Sequence, residues 1–324
     1  MNIRILAATV GAALALVAFV PAHAETTVRA VSFIPKNNPV MNQANAWVAE
    51  VNAALKGEFQ INYVGGPEVV PRYQLADAVR NNIVPIIFPA GGDLQDEMPQ
   101  TLAYTLSQLS PSDERKSGFY DYMVGEVAKK YNARYLGRVQ MSPFYFWLKK
   151  EPKSLADLKG LKMRTGSLYD KFMKELGMTP VNINAPETFT ALEGGVVDGL
   201  GWPVSGMRQQ GWNKHVKFVV DLPFYGQSNI IAMLSHAEWN KLKPDVQKKL
   251  VDVTAAFEPK MVAYYTSENE KEWGELEKAG MKRVRFSAAE NKQYLDTAYN
   301  VEWAWLESKL GKDETAKLKK LTGN

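Results

Sequence analysis

The side chains able to do chemistry in this chain form a short stock. None of the 324 residues is cysteine, which removes thiolate catalysis, cysteine-held zinc, iron–sulfur clusters and disulfides together. Three histidines remain, His23, His215 and His236. His215 stands at a strand entrance and His236 precedes an Ala-Glu-Trp helix start, so both read as surface or cap residues and not as general bases. No Gly-x-Ser-x-Gly elbow, no Gly-Lys-Ser/Thr phosphate loop and no His-Glu-x-x-His helix occurs. Residues 194–201 (GGVVDGLG) are glycine-rich, but they lack the Gly-x-Gly-x-x-Gly spacing and close a helix instead of opening one. Acidic neighbours such as Glu193 and Asp198 arise readily on solvated faces in a chain with 35 acids. Catalysis finds no foothold, and no cofactor is expected. Lys plus Arg number 39, a formal balance of only +4. That leaves no basic stripe able to neutralise many phosphates, so no nucleic-acid partner is expected.

The elements that must carry any site alternate. Residues 27–34 are rich in β-branched types and read as a strand. Pro39 opens a helix whose apolar residues fall at Val40, Ala44, Trp47, Val48, Val51 and Leu55, a stripe facing a core. Phe59, Ile61 and Tyr63 alternate as a second strand, residues 71–82 look helical, and residues 85–88 form a short buried strand. This order implies a parallel sheet covered by helices. The scheme repeats with strands at 133–140, 144–148, 162–165, 181–184, 197–201 and 216–222, and helices at 167–176, 186–194 and 203–211. From Pro244 to about Gly280 the apolar spacing predicts one long helix, kinked near Glu258 by Pro259. The fold class is therefore α/β, with two lobes and a helical strut. Apolar residues at 46% and charged residues at 23% suit globular lobes of this size.

The first residues read as a leader. Arg4 supplies a positive start, and Ile5 to Val20 is apolar or small throughout, shorter than the ~20 residues a bilayer span needs. Ala22-His23-Ala24 then offers a small-x-small cleavage site. Cleavage of residues 1–24 would release a periplasmic protein, and without cysteine there is no lipid anchor.

Residues 154–203 resemble the solute-binding proteins of tripartite ATP-independent periplasmic (TRAP) transporters. The likeness rests on Leu158-Lys159-Gly160-Leu161-Lys162-Met163-Arg164, Leu176-Gly177, the Pro186-Glu187-Thr188-Phe189 helix with Ala191-Leu192, and Val197-Asp198-Gly199. It continues more weakly through residues 65–81 and the long helix. The resemblance implies the two-lobed periplasmic-binding-protein fold, with a ligand cleft between lobes and the long helix spanning both. The expected division is residues 25–140 plus 230–270 in the first lobe and 141–229 plus 271–324 in the second. The implied activity is capture of an organic acid and its delivery to a TRAP membrane permease, by a monomer that is not an enzyme. Two other readings stand beside it: a secreted hydrolase or isomerase on a similar fold, and a ligand-sensing partner of a membrane receptor.

In that family the arginine ending the Lys-Gly-Leu-Lys-x-Arg strand grips the substrate carboxylate, and here it is Arg164. A guanidinium presents a planar fork matched to both carboxylate oxygens. Where relatives often place polar or basic contacts, this chain has Phe144 and Trp202; the competing reading puts both rings in the core. Phe33 sits at a strand end where pocket residues are expected, whereas Phe88 reads as core. Asn229 and Glu68 are candidates for a polar end, and Arg72 and Arg208 for a second cation. One charged clamp with apolar walls points to a monocarboxylate with an aromatic or branched body, ahead of dicarboxylates and sugar acids.

Overall fold

The computed structural model describes residues 25–166, 168–227 and 229–324. The expected leader lies outside them, as does Ser167, the expected first residue of a helix. Two sheets carry the fold. In the first, β1 (Thr26–Ser32) lies between β2 (Phe59–Gly65) and β3 (Ile86–Phe88), parallel to both. The right-handed crossover logic of β-α-β chains predicts this arrangement. Its outer half differs from a purely parallel sheet. β4 (Ala133–Gln140) forms the edge, and β10 (Ile230–Ser235) returns late in the chain to pair antiparallel with both β3 and β4.

The second sheet runs in the order β11-β9-β5-β8-β6-β7, with β5 (Phe144–Leu148), β6 (Lys162–Thr165), β7 (Thr179–Asn182), β8 (Gly199–Pro203), β9 (Phe218–Val220) and β11 (Lys282–Val284). The chain thus passes between sheets around residues 141–143 and again before Ile230. The Val197-Asp198-Gly199 motif is explained by this sheet's register. Asp198 Oδ2 accepts from the Lys162 amide at 2.8 Å, its own amide donates to the Lys162 carbonyl at 2.7 Å, and its carbonyl accepts from the Lys149 amide at 3.0 Å. One acid therefore pins the ends of β5, β6 and β8. A Cβ at Gly199 would lie 2.2 Å from the Trp147 carbonyl, so only glycine allows β5 this close.

Helix Asn42–Ala54 buries Ala44, Trp47, Val48 and Val51 as the stripe predicts. A 3-10 turn, Pro39–Met41, leads into it, and Asn38 caps that turn by accepting from the Val40 amide. The strut is helix Pro244–Lys278. Near its start it meets the first sheet's layer, where Trp47 Nε1 donates to Thr254 Oγ1 at 3.1 Å. Near its end it meets the second, where Trp273 stacks on Trp147 at 5.4 Å. It runs unbroken through Pro259, whose missing N–H leaves the Ala255 carbonyl without its helical donor. No helix among the described residues is long and apolar enough to cross a membrane.

Some expectations need correction. Residues 204–210, expected as helix, form turns, because Gly206 and Gly211 adopt left-handed backbone there. The stretch after Phe88, unassigned from sequence, holds short helices ending in Phe119–Tyr131. The terminal helix is Lys312–Leu321. It seats on the first lobe, where the Leu321 carbonyl accepts from Ser117 at 2.7 Å and Glu314 from Tyr122 at 2.5 Å.

A buried ionic cluster ties the first lobe together. Arg138, fully buried on β4, pairs with Glu114 and donates to Gln227 at 2.7 Å. Glu258, beside Pro259, accepts from Arg115 at 2.7 Å and from the Arg138 amide at 3.1 Å. Each charge removed from water here has a partner, which is the condition for such a cluster to persist.

Candidate functional site

A cavity of about 540 Å³ opens between the two sheets and takes lining from both. From the first lobe come Phe33 and Ile34 after β1, Arg72 and Tyr73 in a 3-10 turn, Ala90 and Gly92 after β3, and Asn229 at the entry to β10. From the second come Phe144, Arg164, Tyr169 and Trp202. The walls gather at strand ends, where open α/β sheets leave room for ligands.

Arg164 is the third residue of β6, paired with Leu200 on one side and Val181 on the other. It is only 2% exposed. Its Nε donates to the Ile183 carbonyl at 2.8 Å, which fixes the guanidinium plane. Nη1 and Nη2 find no carboxylate among the described residues. The cation lies over the Trp202 ring, 5.0 Å from its centroid. Burial holds the Arg164 guanidinium below its ordinary value; Tyr169 opposes this and nearby Arg72 adds to it. The Tyr169 hydroxyl spends its hydrogen on the Gly201 carbonyl at 2.6 Å, turning its oxygen into an acceptor beside Arg164. A Cβ at Gly201 would strike that ring at 2.5 Å, so the glycine makes the space Tyr169 occupies.

Phe144 and Trp202 satisfy both readings of their rings at once. Each lines the cavity and each packs into a core cluster. Phe144 stacks on Phe224 at 5.8 Å and tilts against Tyr169 at 5.4 Å. Trp202 meets Trp212 edge-on at 5.0 Å and donates from Nε1 to the Ser205 carbonyl. The rings are therefore rigid walls, held from behind. Phe88 is core, fully buried against Trp47 and Tyr63.

Asn229 is 4% exposed and donates to Thr105 Oγ1 at 2.9 Å. Glu68 is not in the wall. Its carboxylate turns back to accept from the Gly66 amide at 2.7 Å, two residues away, the local bond that acidic side chains in loops commonly make. Of the candidate second cations, Arg208 is elsewhere, paired with Glu272 at 2.9 Å. Arg72 is in the wall, held bidentate by Asp93 at 2.7 and 2.6 Å. Burial pushes the Asp93 carboxyl up, and Arg72 and then Arg164 pull it back. Neither His215 nor His236 lines the cavity.

Tyr169, which lines the cavity, and Asp93, which holds Arg72 from behind the wall, were not singled out from the sequence. The Gly201 spacing in Gly199-Leu200-Gly201-Trp202 was an available signal for a ring packed on β8. Asp93 has no local signal at all.

The family model for the bacterial extracellular solute-binding protein, family 7, matches residues 30–307. The chain belongs to that family. The match bears out the resemblance to TRAP solute-binding proteins, and it places the chain among binding proteins and not enzymes. A monocarboxylate 2-oxoacid-binding periplasmic protein of Nostoc is 25% identical over 296 residues, covering 87% of this chain and 79% of that one. A TRAP transporter solute-binding protein from Bordetella bronchiseptica, with copurified calcium and picolinate, is 25% identical at a TM-score of 0.79, covering 93% of each chain. An extracytoplasmic solute receptor of Bordetella pertussis binding pyroglutamic acid superposes at a TM-score of 0.81 with 18% identity, over 92% of this chain and 100% of that one. The last comparison speaks to fold, and the fold is the two-lobed one.

Proposed function

We propose that this protein captures a monocarboxylate with a branched or aromatic apolar body in the periplasm and delivers it to a TRAP membrane permease. The observation that carries the reading is Arg164. A buried guanidinium without an ionic partner among the described residues, on the wall of a cavity between lobes, is a charge awaiting an anion. Phe33, Phe144 and Trp202 supply flat apolar surface beside it. Arg72 adds no net charge, because Asp93 cancels it. The site therefore carries one surplus positive charge, which fits one carboxylate. A second buried carboxylate would lack a partner and cost several kcal/mol.

The ligands named for several relatives, a 2-oxo acid, picolinate and pyroglutamic acid, are each monocarboxylates, as are the sugar acids L-galactonate and β-D-galacturonate named for two others. Capture proceeds by hinge closure of the lobes about the crossing segments. Contacts already bridge the two sides of the cleft in this form, with Lys171 donating to Gln95 at 3.0 Å and Asn182 to Tyr73 at 3.2 Å. Residues 1–24 act as the export leader, and the mature protein works as a monomer.

A thermal-shift panel of succinate, a hexuronate, 4-methyl-2-oxopentanoate and a hydroxycinnamate tests the ligand class. A ligand that binds only the folded form raises the midpoint with the logarithm of its saturation. The branched or aromatic acid should give the largest shift. Succinate giving the largest shift, with no response to the other two classes, would overturn the reading.

A further inference from the structure

The lobes meet along a line of contacts across the cleft, and these contacts stand at different distances from the hinge. The crossing segments join β4 to β5 and β9 to β10. Lys171 lies on that side. It donates to Gln95 of the first lobe at 3.0 Å and pairs with Glu302, which also accepts from Tyr225 in the second crossing segment at 2.9 Å. Midway, a Cβ at Gly92 would strike Leu168 at 2.9 Å, and Arg72 Nη2 approaches the Gly166 carbonyl at 3.5 Å. On the far side, Asn182 Nδ2 donates to the Tyr73 hydroxyl at 3.2 Å.

The far contact joins the outer edges of the two sheets. Tyr73 follows β2, the edge strand opposite β4, and Asn182 ends β7, the edge strand of the second sheet. Rotation about the crossing segments displaces each point in proportion to its distance from the axis, so this contact parts first and furthest. An opening of about 1 Å there takes the bond out of range. Tyr73 is 56% exposed, so burial does not account for its place. Its ring is braced on the Arg72 guanidinium at 5.2 Å, which aims the hydroxyl across the mouth. Asn182 does not line the cavity. It is one residue beyond Val181, the β7 partner of Arg164, so an anion drawn onto Arg164 bears on the strand pair that carries it.

We infer that Tyr73 and Asn182 form a latch at the cleft mouth, made only when the lobes close, that sets how slowly a captured acid leaves. This rests on the proposed capture of an acid in the cleft. Asn182 and the Tyr73 hydroxyl are positioning groups: they stabilise the closed form without touching the acid. Because the latch forms after the acid has entered, its loss speeds release and leaves association alone.

Stopped-flow tryptophan fluorescence of the mature protein reads both rates, with the panel acid that shifts the midpoint most, 4-methyl-2-oxopentanoate on the present reading. Tyr73→Phe keeps the ring and removes the hydroxyl; Asn182→Ala removes the donor from a residue outside the cavity. Each should speed release roughly three- to tenfold, the range of one lost neutral hydrogen bond, while association changes less than about twofold. The double variant should release no faster than the faster single variant, since both remove the same bond. The unliganded melting temperature should hold in all three, because the bond is exposed. Unchanged release in either single variant, additive effects in the double, or a loss carried by association or by the unliganded melting temperature would each overturn the inference and leave capture at Arg164 standing. Failure of every acid in the panel to bind the unaltered protein would instead remove the capture reading, and the latch with it.

Discussion

Replacing Arg164 with methionine should separate binding from folding. The guanidinium is 2% exposed and has no carboxylate partner among the described residues. The unliganded protein therefore bears the desolvation of a buried charge with only the Ile183 carbonyl, the Tyr169 oxygen and the Trp202 face in return. Methionine keeps most of the stem's packing against Trp202 and removes the charge. Unliganded stability should hold or rise, since replacing buried charge by an apolar side chain is often neutral or stabilising. Binding should collapse. Removing one partner of a buried ion pair costs ~3–5 kcal/mol, on the order of 10²- to 10⁴-fold in affinity. Arg164→Lys keeps a charge but not the fork, and should still lose roughly tenfold or more. Calorimetric titration with 4-methyl-2-oxopentanoate reads the affinity, and thermal denaturation without ligand reads the fold. Near-normal affinity in a folded Arg164→Met protein would show that the anion is held elsewhere. A large drop in its unliganded melting temperature would show that Arg164 is a structural cation.

Arg138→Met makes the opposite prediction: it strands buried Glu114 and should cost ~3–5 kcal/mol, lowering the melting temperature by on the order of 5–10 °C, and an unchanged melting curve would contradict the buried-cluster account. Affinity should be flat from about pH 5 to 8, because burial lowers Arg164 only from a starting value far above that range and an approaching anion raises it again. A binding transition near pH 6–7 would implicate a titrating group that the site geometry does not contain. Intact mass of the periplasmic protein should correspond to a chain beginning at Glu25; residues 1–24 still attached would sink the leader reading.

Local signals carried far along this chain. Strands β4, β5 and β6 stand where alternation bounded by Pro143, Gly160 and Gly166 puts them, because short buried strands leave their register in the side-chain pattern. Arg164 could be named from the family motif that ends its strand, and it lies in the cavity wall. What stayed hidden depends on contacts between distant segments. Arg72 could be named as a candidate cation, but only the meeting of the two lobes brings it within reach of Gly166. Asp93 lies in a short 3-10 turn after β3, and nothing nearby in sequence says that its carboxylate will take Arg72. Glu68 misled for the converse reason: an acid in a glycine-rich loop reads as available, yet its nearest donor is the loop's own Gly66 amide. The expected division put residues 230–270 in the first lobe, but the antiparallel pairing of β10 with β3 and β4 is a long-range contact that no local pattern encodes.

A crystal structure of the mature protein with 4-methyl-2-oxopentanoate tests the central claim most directly. The carboxylate should lie within hydrogen-bond distance of Arg164 Nη1 and Nη2, with the branched body against Phe144 and Trp202. A ligand seated with its carboxylate away from Arg164, and that guanidinium still without an anion, would contradict it.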